Sequence, residues 1–325
     1  MQGVGLTFII ALIAKYLGEL SIFKIMGQLV LAILLGMLWR MFIGIPRSFS
    51  TGVHFSSKSL LRLGIILLGM RLNLMDIIHA GPKVVIIAVI NIIITIFIIY
   101  HVARWLKVGK NIAILTACGT AICGAAAVVA IASQIKANDD ETAIGAASVA
   151  ILGTIFTIIY TIVYPVLGLS PYGYGFFSGA TLHEIAHVLA ATAPFGKTAV
   201  DIAVIVKLTR VVMLVPIAFF IGIWSNFEAK KENRFRWKSL PIPWFILGFL
   251  AMSMIHTLHV VSDKGANQVV DMAYILIAMA MAGLGLNVSL GSLKSQGTKT
   301  LGAGLIGSIL LSVLGYTMVH FFHLK

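Results

Sequence analysis

Residues 179–190, GATLHEIAHVLA, place two histidines and a glutamate inside a run of small and apolar residues. The letters HEIAH (183–187) match H-E-x-x-H, in which two imidazoles on a helix hold zinc and the glutamate activates water. Gly179 opens the stretch and two further glycines lie just before it, which favours an interrupted helix. The stretch therefore predicts either a zinc site or a broken helix that carries polar side chains.

The composition indicates a membrane protein with many crossings. Of the 325 residues, 59% are hydrophobic and 11% are charged, whereas a soluble domain has about 25% charged residues. A crossing needs roughly 20 apolar residues, so the chain has room for about ten. We predict an all-α membrane protein, a polytopic bundle of about 9–11 segments that forms one integral membrane transport domain over residues 1–325. The candidate segments are 4–20, 25–45, 58–79, 83–106, 111–136, 141–168, 173–194, 198–225, 241–260, 268–290 and 298–321.

The net charge of +13 is explained by basic loops that orient the chain in the membrane. The polar stretch 225–243 is predicted to be a cytoplasmic loop, and most Lys and Arg residues outside the apolar runs fall on its side. Because there is no basic tail or soluble domain, we expect no nucleic-acid partner. Cys118 and Cys123 lie in one apolar segment, so no disulfide framework is expected.

Three pairs of segments resemble one another, as in transporters built from inverted repeats. Each match alone is weak, because small and apolar residues recur in any membrane helix, but the three occur in related contexts. The pairs are 119–130 with 179–190, 142–154 with 198–210, and 63–77 with 277–291.

The repeats have a consequence for topology. Segments 58–79 and 268–290 are third and tenth in order, so they are predicted to run in opposite directions. Segments 111–136 and 173–194 are fifth and seventh, and they are inverted only if each returns to its own side. We therefore predict two broken or re-entrant segments that meet near the midplane, where irregular backbone must be covered by protein or a cavity. The corresponding repeat-like segments are 58–168 and 173–321.

Ionisable side chains inside apolar runs are costly and mark function by default. They are Arg71, Glu184, Asp201, Lys207 and Arg210. Lys207 and Arg210 are three residues apart and share a helix face, so we favour a functional cationic pair over side chains that extend to the bilayer surface. For Arg71, a structural role at a helix end and a functional role are equally supported.

The stretch TACGTAICGAAAVV (116–129) offers hydroxyls and backbone amides at a predicted helix break, and helix N-termini bind anions. Packing of helices through small residues is the alternative, but the buried cations favour an anion site. Glu184, with His183, is the predicted proton-coupling site. The predicted substrate ligands are Arg71, Gly119, Thr120, Gly124, Thr181, His183, Lys207 and Arg210.

The zinc interpretation lacks a third ligand. Asp201 and Asp263 are the available carboxylates, and neither has the sequence context of an intramembrane zinc protease. The repeat also aligns Cys123 and Gly124 with His183 and Glu184, so the motif belongs to a duplicated framework. We predict no metal, no cofactor and no enzymatic activity. An intramembrane zinc protease, a passive anion channel and a membrane protein without transport activity stay open.

Five motifs together resemble the YeiH family, whose members are labelled sulfate exporters, and the resemblance covers nearly the whole chain. They are LLRLGIILLGMRL (60–72), CGTAICGAAAVVA (118–130), GATLHEIAHVLAA (179–191), KLTRVVMLVP (207–216) and IAMAMAGLGLNV (277–288).

This resemblance implies a multi-pass protein of the bacterial inner membrane, similar to the bile-acid symporter and cation/proton antiporter superfamily, with inverted repeats and crossing broken helices. It also implies sulfate or a related sulfur-containing anion as the substrate. Family members often carry Gln at the position of His187, which disfavours zinc. The predicted function is alternating-access secondary transport of a small anion, with the lipid bilayer as surroundings. Coupling to protons, sodium or exchange, and assembly into a homo-oligomer, stay open.

Overall fold

The computed structural model describes residues 2–20, 27–73, 75, 81–229, 244–287, 296–322 and 324, and within them the chain is helical with no β-strand. Helices satisfy their own backbone polar groups, which a bilayer requires. The helices are α1 (Gln2–Glu19), α2 (Gly27–Phe42), α3 (Arg47–Phe55), α4 (Leu61–Leu68), α5 (Pro82–Trp105), α6 (Lys110–Ala121), α7 (Ala125–Ile135), α8 (Asp139–Leu167), α9 (Pro171–Thr181), α10 (Ile185–Thr192), α11 (Lys197–Ala229), α12 (Trp244–Thr257), α13 (Asp263–Asn287) and α14 (Thr298–Phe321).

These helices confirm the all-α membrane fold and account for every predicted segment. Among the described residues, six helical stretches are long and apolar enough to cross a membrane. One of them is composite, because α3 and α4 are joined by a π-helical turn at Ser56–Leu60 and followed by a 3-10 turn at Gly69–Arg71. From residue 230 onward, the predicted cytoplasmic loop lies outside the described residues.

The α3–α4 stretch and α13 pack against each other in opposite directions. Gly283, near the end of α13, lies against Val53 and Ser57, whereas Gly64 lies against Ala273 and Ile277 earlier in that helix. Residue numbers therefore rise along one helix as they fall along the other. This confirms that the described parts of segments 58–79 and 268–290 run in opposite directions.

The helices form two groups. We call α1–α4, α12 and α13 the panel group, and α5–α11 and α14 the core group, because helices pack mainly within these sets. Where the groups meet, the most extensive helix–helix contacts are those of α8 with α2 and α13. The molecule thus consists of two packed bundles, and their interface is the natural place for a cavity.

Helices α6 and α7 form a re-entrant hairpin. Helices α6 and α8 run parallel, since Asn111 Nδ2 donates to Glu141 Oε2 at 3.0 Å and Leu115 lies against Gly145 farther along both helices. The chain must therefore return through α7. The return is sharp, because Val128 packs on Gly119, which is nine residues earlier in the chain. In a straight helix these two residues would be about 13 Å apart.

Helices α9 and α10 form a second re-entrant hairpin. Gly175 and Gly179 of α9 lie against Ala199 and Ala203 of α11 in the same order, so these two helices are parallel and α10 runs back between them. The hydroxyl of Tyr174, near the start of α9, donates to the carbonyl of Ala191, near the end of α10, at 3.3 Å. The structure thus decides that both broken segments are re-entrant.

The two hairpins enter from opposite ends of α11. The amine of Lys110, at the start of α6, lies 4.9 Å from the ring centroid of Trp224 near the end of α11, whereas α9 packs on the first turns of α11. The broken residues, 122–124 and 182–184, lie sixty positions apart, as the repeat pairing predicts. The resemblance implies crossing broken helices. In the structure each interrupted segment turns back, because its neighbours α8 and α11 run parallel to α6 and α9.

Two basic side chains lie close together at one end of the molecule. Arg40 and Lys58 line a groove there with Asp139 and Asn287, at the start of α8 and the end of α13. We call this the basic end. The name refers to these two cations; Asp140 also lines the groove, so its acidic and basic side chains are equal in number.

Candidate functional site

The tips of the two hairpins meet at the middle of α11, where Lys207 joins them. Its fully buried amine donates to the carbonyl of Ile122 at 2.8 Å and to the carbonyl of Leu182 at 2.7 Å. These carbonyls follow the last turns of α6 and α9, where helix carbonyls lack partners and carry partial negative charge. One ammonium therefore binds both tips.

Arg210, one turn farther along α11, makes the same connection with more bonds. Its guanidinium donates to the carbonyls of Thr120 and Ala121 in α6 and to those of Gly179 and Ala180 in α9. Only 1% of the residue is exposed, so these carbonyls replace its hydration. The planar guanidinium presents donors in several directions and can bridge two helix ends at once.

These contacts bear on two expectations about anion binding. Lys207 and Arg210 were expected to present charge to an anion, but their donors are bound to carbonyls and neither side chain lines the cavity described below. Gly119 and Thr120 were expected to supply N–H donors, but they belong to the last turn of α6, which presents carbonyls. The N–H groups without a helical carbonyl partner are instead those at the starts of α7 and α10. A ligand role for these four residues stays a prediction.

Glu184 occupies the N-terminal end of α7. Its Oε1 accepts a hydrogen bond from the backbone N–H of Ala125 at 3.1 Å, and the residue is 7% exposed. This end of a helix carries partial positive charge and favours anions. Gly124 makes the approach feasible, because its φ of +76° is unfavourable for other residues and a Cβ there would lie 2.8 Å from Oε1. The chain thus places its own carboxylate in an anion-binding position.

We expect Gly124→Ala to lower the free energy of unfolding by about 1–3 kcal/mol, through the strained φ and the displaced carboxylate. Thermal unfolding of the purified protein in detergent measures this change. Gly5→Ala is the matched control, since that glycine lies in α1 with open space around it. If Gly124→Ala unfolded at the wild-type temperature, the close approach of Glu184 would not constrain this position.

A cavity of about 100 Å³ lies beside the hairpin tips, between the panel group and the core group. A water molecule needs roughly 10–15 Å³ by this measure, so several waters or a small ligand fit. The walls are largely apolar, and the predicted residues Arg71 and Glu184 both line them. The other lining residues with polar groups are Gln28, Cys123 and Tyr274.

The remaining predicted residues lie on the other side of the tip. His183 Nε2 is 3.2 Å from Ser308 Oγ in α14. The hydroxyl of Thr181 donates to a carbonyl within α9 and accepts from Tyr160 at 2.9 Å. Their side chains therefore contact α8 and α14 within the core group, away from the cavity. Their role as substrate ligands stays a prediction.

The H-E-x-x-H letters do not form the helical zinc geometry. His183 and Glu184 lie in the break, because α10 begins at Ile185, and Glu184 points to Ala125 while His187 packs against Gly153 in α8. In the part of the chain that the structure describes, no group of three His, Cys, Asp or Glu side chains could hold a metal ion. Asp201, a candidate third ligand, is exposed on α11. The geometry therefore does not support the zinc alternative.

Sequence reasoning missed three polar lining residues: Gln28, Cys123 and Tyr274. Gln28 offered a usable signal, because it is an uncharged polar residue in the otherwise apolar run GQLVLAILLG (27–36). Cys123 gives a signal only through its position, as the repeat counterpart of His183. Tyr274 gave no signal, since an aromatic residue in an apolar helix is ordinary.

A family model described as Conserved hypothetical protein 698 matches residues 2–304. A UPF0324 membrane protein of Bacillus cereus (strain ATCC 14579) is 64% identical over 98% of this chain and 94% of its own length. One of Listeria innocua is 53% identical, covering 99% and 96% of the two chains. One of Staphylococcus aureus (strain COL) is 39% identical, covering 99% and 97%. No solved structure is significantly similar. The relatives' names state a membrane location and no substrate.

Proposed function

The chain belongs to the Conserved hypothetical protein 698 family, also called UPF0324 or YeiH, and from that premise we propose that it transports a small anion by alternating access. The substrate class implied by the resemblance, sulfate or a related sulfur-containing anion, is part of the proposal. So is a multi-pass location in the bacterial inner membrane. The proposal includes no enzymatic activity and no cofactor.

One observation carries the proposal: two inverted re-entrant hairpins meet beside a cavity at the interface of two helix bundles. Secondary transporters place their binding sites between repeats, at the ends of interrupted helices, and move one bundle against the other. Here the tips of 122–124 and 182–184 reach the cavity through Cys123 and Glu184. Lys207 and Arg210 hold the tips together, so the core group can move as a unit.

The contacts between the two helix groups differ on the two sides of the cavity, as alternating access requires. Gln28 lies near the start of α2, and Arg71 follows α4, so both are at the helix ends opposite the basic end. At the basic end the two groups are joined, since Asp139 accepts from Asn287 Nδ2 at 3.0 Å and lies 4.0 Å from the amine of Lys58. In this conformation the basic end is the closed side.

Glu184 is the proposed proton-coupling group. It is the acidic residue of the cavity wall, and its carboxylate occupies the anion-binding end of α7. A substrate anion entering beside it would be repelled by the ionised carboxylate and accepted by the protonated acid. Binding of an anion and of a proton would then favour each other, which is the requirement for proton-coupled anion transport.

The proposal is tested by anion flux into liposomes that contain the purified protein. We expect labelled sulfate, sulfonates or carboxylates to enter faster than into empty liposomes, and inward proton gradients to increase entry. Competition among the anions would rank the substrates. If no anion in this screen entered faster than into empty liposomes, the transport proposal would be wrong.

We expect Asp139→Ala to destabilise the conformation that is closed at the basic end by about 1 kcal/mol. The population open at that end should then rise about fivefold relative to the closed one. Cys123 lines the cavity, whereas Cys118 is fully buried. A membrane-impermeant thiol reagent added at the basic end should therefore modify Cys123 about fivefold faster in the variant.

The same reagent provides the controls. Asn287→Ala should reproduce the effect of Asp139→Ala, because it removes the other half of the same hydrogen bond. Asp201→Ala removes a carboxylate from the exposed face of α11 and should leave the rate unchanged. Equal rates in all four proteins would mean that Asp139 does not hold the basic end closed.

A further inference from the structure

The chemistry of the cavity wall restricts the anion that it can accept. Arg71 is the one cation in the described lining, and its guanidinium lies 5.9 Å from the ring centroid of Tyr274. Lys207 and Arg210 do not line the cavity, and their side chains donate to carbonyls of the hairpin tips. Arg71 is therefore the cation that an anion in this cavity can contact directly. A dianion would keep a charge without a partner, which is costly away from water.

The wall also holds a buried polar group without a hydrogen-bond partner among the described residues, the side-chain amide nitrogen of Gln28. Buried donors are ordinarily satisfied, so an unpaired one facing a cavity indicates a ligand or water. Gln28 lines the same cavity as Arg71. An amide donor and a guanidinium suit a single carboxylate or sulfonate head group.

The rest of the wall is apolar. Leu68 and Phe249 of the panel group and Leu208 and Val211 of α11 belong to it. An inorganic anion would exchange its water shell for these side chains and gain no donors in return. An organic anion can place an apolar body there, and burial of apolar surface stabilises it.

We infer that the cavity binds an organic monoanion, a carboxylate or sulfonate with a short apolar body, in preference to inorganic sulfate. This inference rests on the proposed function and names the substrate class of the same site. The head group pairs with Arg71 and Gln28, and the apolar body lies against α11 and α12. Glu184 binds its proton as the anion enters.

Protection of Cys123 tests the inference in the purified full chain. Mass spectrometry follows the modification of Cys123 by N-ethylmaleimide, and fully buried Cys118 is the internal control. From methanesulfonate to propanesulfonate, we expect the half-protecting concentration to fall about fourfold per added methylene. Sulfate and propane-1,3-disulfonate should not protect at the same concentrations, because each carries two charges.

Variants connect protection to the site. Arg71→Met and Gln28→Leu should each raise the half-protecting concentration of propanesulfonate, by about tenfold for the charged residue. Arg62→Met, in α4 and outside the cavity lining, should leave this concentration unchanged. If sulfate protected Cys123, and if protection by the sulfonates did not depend on their chain length, the preference for an organic monoanion would be wrong. The proposed anion transport would be unaffected by that result. Absence of both protection and flux for every anion would overturn the proposed function as well.

Discussion

Replacing Glu184 with Gln is expected to abolish proton-driven accumulation of the anion. Gln keeps the size of the side chain and can still accept from the Ala125 amide, but it cannot bind and release a proton. With an inward gradient of about two pH units, one coupled proton can concentrate a monoanion about 100-fold, since each unit corresponds to about 1.4 kcal/mol. In the variant, the ratio of labelled anion inside to outside the liposomes at steady state should be only about one.

Two further measurements make this prediction specific. Exchange of labelled for unlabelled anion needs no net proton movement, so Glu184→Gln should still catalyse it. Asp201→Asn removes an exposed carboxylate from α11 and should accumulate the anion like the wild type. If Glu184→Gln still concentrated the anion in response to the pH gradient, another group would carry the proton.

Replacing Arg210 with Met is expected to prevent the two hairpins from assembling. The substitution leaves the carbonyls of Thr120, Ala121, Gly179 and Ala180 without this donor in a region closed to water. Each buried polar group that loses its partner costs about 1–3 kcal/mol. We therefore expect a loss of about 4 kcal/mol or more, seen as reduced yield of folded protein and a lower unfolding temperature in detergent.

Substitutions at the neighbouring cations separate this effect from a general loss of charge. Arg210→Lys should recover only part of the stability, because a compact ammonium cannot reach both helix ends as the guanidinium does. Lys207→Met removes two hydrogen bonds and should cost less than Arg210→Met. Arg71→Met should fold normally and alter only anion binding, since Arg71 lies at the cavity wall. Equal unfolding temperatures for Arg210→Met and the wild type would contradict the bridging role.

Some of the residues that line the cavity can be predicted from the sequence and others cannot, and the reason differs from residue to residue. Glu184 was identified because a carboxylate in an apolar run needs an explanation, and Arg71 for the same reason. Lys207 and Arg210 were also noticed as buried cations, but sequence gives no means of distinguishing a cation that meets a ligand from one that meets carbonyls. Gln28 gives a weaker signal than these, because an uncharged polar side chain costs less to bury than a charged one.

The sequence by itself determined the architecture of this protein: apolar runs of membrane length, their order, and two glycine-rich stretches where helices are interrupted. These follow from local physical chemistry, because hydropathy and backbone freedom are properties of the residues themselves. Only the tertiary structure decided that the stretches 122–124 and 182–184 are tips of opposed hairpins, and which face of each tip meets the cavity. Those outcomes depend on the parallel packing of α6 with α8 and of α9 with α11. Such packing depends on contacts between residues far apart in the chain, such as Arg210 with Thr120 and Glu184 with Ala125.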